Sequence, residues 1–162
     1  MRSTIKIVIL LFFICTSMSG ASFPDMEKYM RQHALIWEQL PMQWNEGAFL
    51  GNGLVGMMVY ADSTLNALVF HLGRPDVTDH RKAPYRKTSI GTEEADKMVD
   101  FCRLDVGKML LFPEGKILSG TFYLDIYNAE LTGHLKTDKG DLTFHAYTPQ
   151  PEEVNIVEVS SG

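Results

Sequence analysis

Residues 44–56, WNEGAFLGNGLVG, constrain the fold more than any other part of this sequence. Four glycines and two asparagines fall within these thirteen residues. The chain there is free to adopt positive φ angles and to turn sharply without strain at Cβ. Because residues 54–60 are apolar and read as a strand, we expect a tight loop that feeds a buried strand and offers main-chain N–H groups to a ligand.

The rest of the sequence alternates between strand-like segments and turn signals. Short strands at regular spacing, joined by hairpin turns, favour an antiparallel all-β sandwich. One short amphipathic helix or a loosely helical lead-in is predicted at residues 25–39, which Pro41 ends, and residues 93–101 are the one further helix candidate. The predicted strands are residues 54–60, 65–72, 103–112, 117–128, 129–137, 141–148 and 154–160.

The amino terminus has the pattern of a signal peptide over residues 1–21. A basic start is followed by a short apolar run and by small residues at Ser19-Gly20-Ala21. The apolar run is shorter than the roughly 20 residues that span a bilayer, although a signal anchor is the alternative. We therefore expect a secreted or periplasmic protein with a partly helical lead-in at residues 22–41 and a sandwich domain at residues 42–162.

Charge and cysteine content exclude several classes of partner. Removal of the signal peptide leaves 13 basic and 20 acidic residues, a net charge of −7. An acidic, exported chain is not expected to bind nucleic acid or anionic membranes, and no membrane role beyond export is predicted. Only Cys102 would remain, so no intramolecular disulfide is possible in the mature chain.

The glycine-rich stretch also resembles a known family signature. Gly51-Asn52-Gly53 with Gly56, preceded by Leu40-Pro41, resembles the opening of the N-terminal β-supersandwich in inverting glycoside hydrolases of family 95, the α-L-fucosidase type. Related N-terminal domains of unassigned function occur in other bacterial glycan-degrading enzymes. Residues 120–131 and 142–160 resemble later strands of the same domain, so the resemblance covers residues 37 to 160. It implies an incomplete antiparallel supersandwich, truncated at its carboxyl end, and an intact small sandwich is the alternative.

This resemblance implies a function as well as a fold. The chain would be the non-catalytic N-terminal domain of an exported glycoside hydrolase that acts on α-linked sugars, and it would support a missing helical-toroid catalytic domain. The chain alone would be inactive and would need no cofactor. A free-standing carbohydrate-binding or surface-interaction module is the alternative. Such modules present exposed aromatic platforms, whereas Trp37 and Trp44 lie in or near the lead-in, where we expect them to pack.

The candidate substrate-binding residues are Asn52, Arg74, Asp76 and His80, and Gly51, Gly53 and Gly56 are expected to shape the loop. A guanidinium fork and a carboxylate suit vicinal sugar hydroxyls, although a solvated, salt-bridged loop is the favoured interpretation. No metal site is predicted, because the spacing of the histidines and aspartates at residues 71–80 matches no zinc or calcium signature.

A catalytic site is not predicted in this chain. Inverting hydrolysis needs two carboxyl groups about 6.5–9.5 Å apart, one acting as acid and the other as base. Glu46, Asp76 and Asp79 are the only carboxylates in suitable loops, and none has a convincing partner or an apolar setting that would raise its pKa.

Overall fold

A computed structural model describes residues 24–78 and 104–162, which form an antiparallel β-sandwich. This confirms the predicted all-β fold class. One helix, α1, spans Met26–Arg31, and a single 3₁₀ turn spans Trp44–Glu46. The strands are β1 (Leu35–Trp37), β2 (Ala48–Gly51), β3 (Gly56–Asp62), β4 (Ala67–Gly73), β5 (Gly107–Leu111), β6 (Ile117–Asp125), β7 (Glu130–Thr137), β8 (Gly140–Tyr147) and β9 (Ile156–Ser161).

The strands form two sheets with simple connections. The five-stranded sheet has the order β1-β6-β7-β8-β9, and the four-stranded sheet has the order β2-β3-β4-β5. Every pairing is antiparallel. Sequential strands lie side by side within each sheet, the chain passes from one sheet to the other between β1 and β2 and again between β5 and β6, and β1 pairs with β6. The lead-in thus contributes an edge strand to the five-stranded sheet.

The core lies between the two sheets and is centred on three phenylalanines. Phe70 of β4 and Phe122 of β6 both meet Phe144 of β8 edge to face, with ring centroids 5.7 and 5.4 Å apart. Gly133 of β7 lies directly beneath the Phe144 ring, and a Cβ at this position would overlap that ring. Phe144 can therefore lie across β7 only because residue 133 is glycine.

All seven predicted strands are present, and their ends differ from the predicted ends by a few residues. Two further strands escaped prediction, β1 and β2, because they have only three and four residues and lie within segments expected to be helix and loop. The helix expected over residues 25–39 extends only from Met26 to Arg31. The predicted signal peptide, the helix at residues 93–101 and Cys102 lie outside the described residues.

Polar contacts stabilise helix α1 at both ends, and the one between Arg31 and Asp125 holds it against the sandwich. The Asp25 carboxylate accepts a hydrogen bond from the Lys28 N–H at 3.1 Å and caps the helix. Arg31 donates to Glu27 at 3.0 Å and to Asp125 at 2.6 Å. Within residues 24–78 and 104–162, no helix is long and apolar enough to cross a membrane.

Candidate functional site

A row of three glycines crosses the end of the four-stranded sheet. Gly51 of β2 pairs with Gly56 of β3, which pairs in turn with Gly73 of β4. Side chains alternate between the two faces of a strand, and the neighbours Leu50, Met57 and Leu72 belong to the core or pack against it. The glycine row therefore lies on the outer face, where three adjacent strands carry no side chain.

A row of large side chains runs beside the glycine row on the same face. Phe49 pairs with Met58, and Met58 pairs with His71. These three side chains line an open cavity with a volume of ≈ 570 Å³. Trp44, from the 3₁₀ turn, lines this cavity as well. Trp44 and Phe49 are 62% and 55% exposed. The bare glycine row and its aromatic rim thus form an open depression, here called the glycine trough.

Asn52, at the end of the trough, uses its side chain to join the two sheets. Its amide nitrogen donates to the carbonyls of Pro149 and Glu152, both at 2.7 Å, in the loop between β8 and β9. Its amide oxygen accepts the N–H groups of Leu54 at 2.9 Å and Val55 at 3.1 Å. Both amide protons are committed, so Asn52 has no donor left for a sugar hydroxyl.

Arg74 makes a second connection to the same loop. Its guanidinium donates two hydrogen bonds to Asp76, at 3.0 and 2.9 Å, and one to Glu153 at 2.7 Å. The hydrogen bonds from Arg74 hold the pKa of Asp76 below its usual range. Hydrogen bonds to Asp76 and Glu153 in turn raise the pKa of Arg74. We call Asn52, Arg74, Asp76 and Glu153 the inter-sheet clamp.

The remaining polar pair at the trough is formed by His71 and Asp105. The His71 Nε2 atom lies 2.8 Å from the Asp105 carboxylate, which also accepts the Gly107 N–H at 3.0 Å. The hydrogen bond to His71 is the main reason why the pKa of Asp105 is lowered. His71 is half-buried, and the carboxylate orients its ring beside the trough. A histidine held in this way offers one defined ring face to a ligand.

The structure brings most of the sequence-predicted residues to one end of the sandwich. Asn52, Arg74 and Asp76 lie together there: Asn52 and Arg74 both donate to the β8–β9 loop, and Asp76 accepts from Arg74. Gly56 lines the trough, and Gly51 pairs with it in the glycine row. Gly53 lies in the turn at φ 91°, a conformation that favours glycine. His80 and Asp79 lie outside the described residues.

Two rim residues escaped the sequence analysis. Packing was expected for both tryptophans, but only Trp37 packs: its ring meets Phe122 edge to face at 6.5 Å, and its indole N–H donates to the Glu46 carbonyl at 2.8 Å. Trp44 instead faces solvent. Phe49 lies in a segment predicted to be a loop, but in the structure it alternates with buried Ala48 and Leu50. That alternation was the available signal.

The carboxylates around the trough are bound to basic partners. In the part of the chain that the structure describes, no group of three or more histidine, cysteine, aspartate or glutamate side chains is arranged to hold a metal ion. The carboxylates of Asp76, Asp105 and Glu153 are each hydrogen-bonded to a basic side chain. Hydrogen bonds from Arg74 and His71 lower the pKa of Asp76 and of Asp105, respectively. A general acid needs the opposite shift.

No model of a known protein family matches this chain, and no curated protein matches it either.

Proposed function

We propose that this chain is a non-catalytic β-sandwich domain of an exported glycan-degrading enzyme, and that it contacts a neutral sugar chain in the glycine trough. The observation that carries the proposal is the trough itself. Three paired glycines leave bare backbone beside Trp44 and Phe49, which are more than half exposed. The resemblance of the glycine-rich loop to family 95 enzymes supports the same class of ligand.

The shape and lining of the trough suit a sugar ring. The cavity of ≈ 570 Å³ lies within the roughly 300–1,000 Å³ that is typical of small-molecule sites. An aromatic face offers apolar area to the C–H face of a pyranose with little loss of side-chain entropy. His71 and main-chain groups of the trough then supply hydrogen-bonding partners for hydroxyl groups.

The charge around the trough favours a neutral ligand. Asp76, Asp105 and Glu153 place three carboxylates near two basic groups, the guanidinium of Arg74 and the ammonium of Lys108, which pairs across from His71. Arg74 is already bonded to two of these carboxylates, so it is poorly placed to bind the anion of a uronic acid or a sulfated sugar. Like-charge repulsion adds to this discrimination. We therefore expect neutral α-linked oligosaccharides to bind better than acidic ones.

The inter-sheet clamp suits a domain that supports a neighbouring catalytic domain. Asn52 and Arg74 fix the loops at one end of the four-stranded sheet to the β8–β9 loop of the other sheet. Rigid loops at one end of a sandwich suit contact with a neighbouring catalytic domain. The free-standing binding module is the second candidate, and the exposure of Trp44 is the observation that favours it.

The test uses the purified chain in isothermal titrations with neutral oligosaccharides that carry α-linked fucose, galactose or glucose. Sulfated and uronic-acid polysaccharides serve as the acidic comparison. We expect weak binding of a neutral ligand, at least tenfold weaker binding of the acidic ones, and no hydrolysis of aryl α-glycosides. Absence of binding to every neutral ligand would contradict a sugar-binding trough.

Gly73→Val gives the sharpest variant for this test. A Cβ at Gly73 meets nothing within 4 Å and the residue has no positive φ, so the fold accepts a side chain that fills the trough. We expect Gly73→Val to abolish binding without lowering the melting temperature. Tyr123→Ala, which removes an aromatic ring that is 40% exposed on the other sheet, is the matched control and should bind normally.

A further inference from the structure

The bare backbone of the glycine trough extends across the strands rather than along them. Residues on one face of a strand are two positions apart, so the neighbour of Gly56 on the outer face of β3 is Met58, and the neighbour of Gly73 on β4 is His71. A ligand that lay along either strand would therefore meet a large side chain at once. Gly56 and Gly73 are paired, and the floor continues from one strand to the next.

The length of the trough follows from the strands that it crosses. The cavity is lined by Phe49 of β2, Gly56 of β3, Gly73 of β4 and Asp105, which lies just before β5. These four strands are neighbours in the sheet, and three separations between them amount to about 14 Å. Side chains occupy the two outer positions, so the bare floor covers the middle two strands. A pyranose ring is about as wide as one separation, and the floor has room for two rings.

The half of the floor at Gly56 has an apolar wall. Met58 stands next to Gly56 on the outer face, and it pairs with Phe49 of β2. Trp44, which comes shortly before β2 in the chain, also lines the cavity. Aromatic side chains offer a broad apolar surface. This half therefore suits a ring that is bound through its C–H face.

The half of the floor at Gly73 has a polar wall. His71 stands next to Gly73 on the outer face, and its Nε2 atom lies 2.8 Å from the Asp105 carboxylate. Lys108 of β5 pairs with His71 on the same face. Imidazole, carboxylate and ammonium groups together supply both donors and acceptors. This half therefore suits a ring that is bound through its hydroxyl groups.

We propose that the glycine trough binds two adjacent sugar residues of a neutral chain, and that this chain crosses the strands from β3 to β4. One ring lies over Gly56 against the apolar wall, and the next lies over Gly73, where it hydrogen-bonds with His71. The inference rests on the proposed function and adds the length and direction of the bound segment. The recognised unit is a disaccharide, because a third ring extends past the bare floor.

The test compares ligands that differ only in length. Isothermal titrations of the purified chain use the monosaccharide, disaccharide, trisaccharide and tetrasaccharide of α-linked glucose, of α-linked galactose and of α-linked fucose. In the series that binds, we expect the disaccharide to bind at least about tenfold more tightly than the monosaccharide, and the longer members to bind within about threefold of the disaccharide.

The outcomes separate this inference from the proposed function. Absence of binding in all three series would overturn both. A monosaccharide that binds as tightly as the disaccharide would overturn only the two-ring trough, and so would an affinity that keeps rising up to the tetrasaccharide.

His71→Ala tests the assignment of the second ring. This change removes the polar wall and keeps the apolar half, which holds a single ring. The ratio of disaccharide to monosaccharide affinity should fall below about threefold, while the monosaccharide affinity changes by less than about twofold. His71→Gln, which keeps a donor and an acceptor, should recover part of the ratio. Equal losses for both ligands would contradict the assignment.

His145→Ala is the matched control. His145 lies on the five-stranded sheet, where it contacts Glu130 and Glu158 at 3.3 and 3.2 Å. We expect it to leave both affinities unchanged, and a fall in the ratio here would show that the effect of His71→Ala is not local to the trough. Circular dichroism of each variant checks that the sandwich is intact.

Discussion

The inter-sheet clamp and the glycine trough lie at the same end of the sandwich, yet their side chains are used in opposite ways. In the clamp, the side chains of Asn52 and Arg74 donate hydrogen bonds to neighbouring loop residues. At the trough, Trp44 and Phe49 are mostly exposed and the adjoining backbone is bare. Polar residues that look like ligand contacts in the sequence hold the fold here, and the surface that is open to a ligand is apolar.

Loss of the clamp asparagine should have the largest effect on stability. Asn52→Ala removes four hydrogen bonds, and each contributes about 0.5–1.5 kcal/mol. We expect the free energy of unfolding to fall by about 2–4 kcal/mol, as measured by urea denaturation.

Asn45→Ala is the control for this change, because the described residues form no hydrogen bond with the exposed Asn45 side chain. We expect its effect to stay within about 0.5 kcal/mol. Equal effects for the two asparagines would mean that the clamp does not hold the sheets together.

The glycines of the two regions should respond differently to alanine. Gly53 has φ 91°, a conformation that costs an L-residue about 1–2 kcal/mol, so Gly53→Ala should lower the melting temperature. Gly73 has open space around its Cβ and no positive φ. Gly73→Ala should be neutral or stabilising by up to about 1 kcal/mol. Thermal melts of both variants decide whether the distinction holds.

Acid should weaken the clamp while leaving the aromatic rim unchanged. The hydrogen bonds from Arg74 lower the pKa of Asp76 in the folded chain, so this group stabilises the fold above its unfolded pKa of about 4. That stabilisation is lost as the pH falls through the lower folded value.

The variant Asp76→Asn should therefore show a smaller loss of stability below about pH 4 than the wild type does. Melting temperatures measured from pH 2.5 to pH 7 provide the comparison. If the melting temperatures of both proteins fall equally below about pH 4, the ion pair of Asp76 with Arg74 does not stabilise the folded state.

Trp44→Ala should have the smallest effect on stability and the largest on binding. The side chain is 62% exposed, so the free energy of unfolding should change by less than about 0.5 kcal/mol. Sugar binding should be lost, because the rim then lacks its larger aromatic surface. A stable variant with normal affinity for sugar would remove Trp44 from the site.

The sequence was informative about the strands and much less so about the site. Alternation in segments such as residues 130–137 predicted a half-buried strand, and the burial of Leu131, Gly133 and Leu135 on one face agrees with it. The short strands β1 and β2 carry too few residues for a period of two to stand out. Their existence depends on the pairing of Leu35–Trp37 with β6 and of Ala48–Gly51 with β3.

The trough could not be predicted because it depends on register. Gly73 is more than fifteen residues away from Gly56 in the sequence, and only the pairing of β3 with β4 makes them neighbours. In the same way, the partners of Asn52 and Arg74 in the β8–β9 loop are far from them along the chain. Local sequence patterns carry no information about such contacts.

The most direct test of a sugar-binding trough follows the two tryptophan indole N–H signals by nuclear magnetic resonance while a neutral oligosaccharide is added. The Trp37 indole is hydrogen-bonded to Glu46 on the packed side, whereas Trp44 lines the trough. We predict that the Trp44 signal and the backbone signals of Gly56 and Gly73 shift with a common saturation curve while the Trp37 indole signal stays in place. Shifts confined to the outer face of the five-stranded sheet, with Trp44 unchanged, would contradict the account.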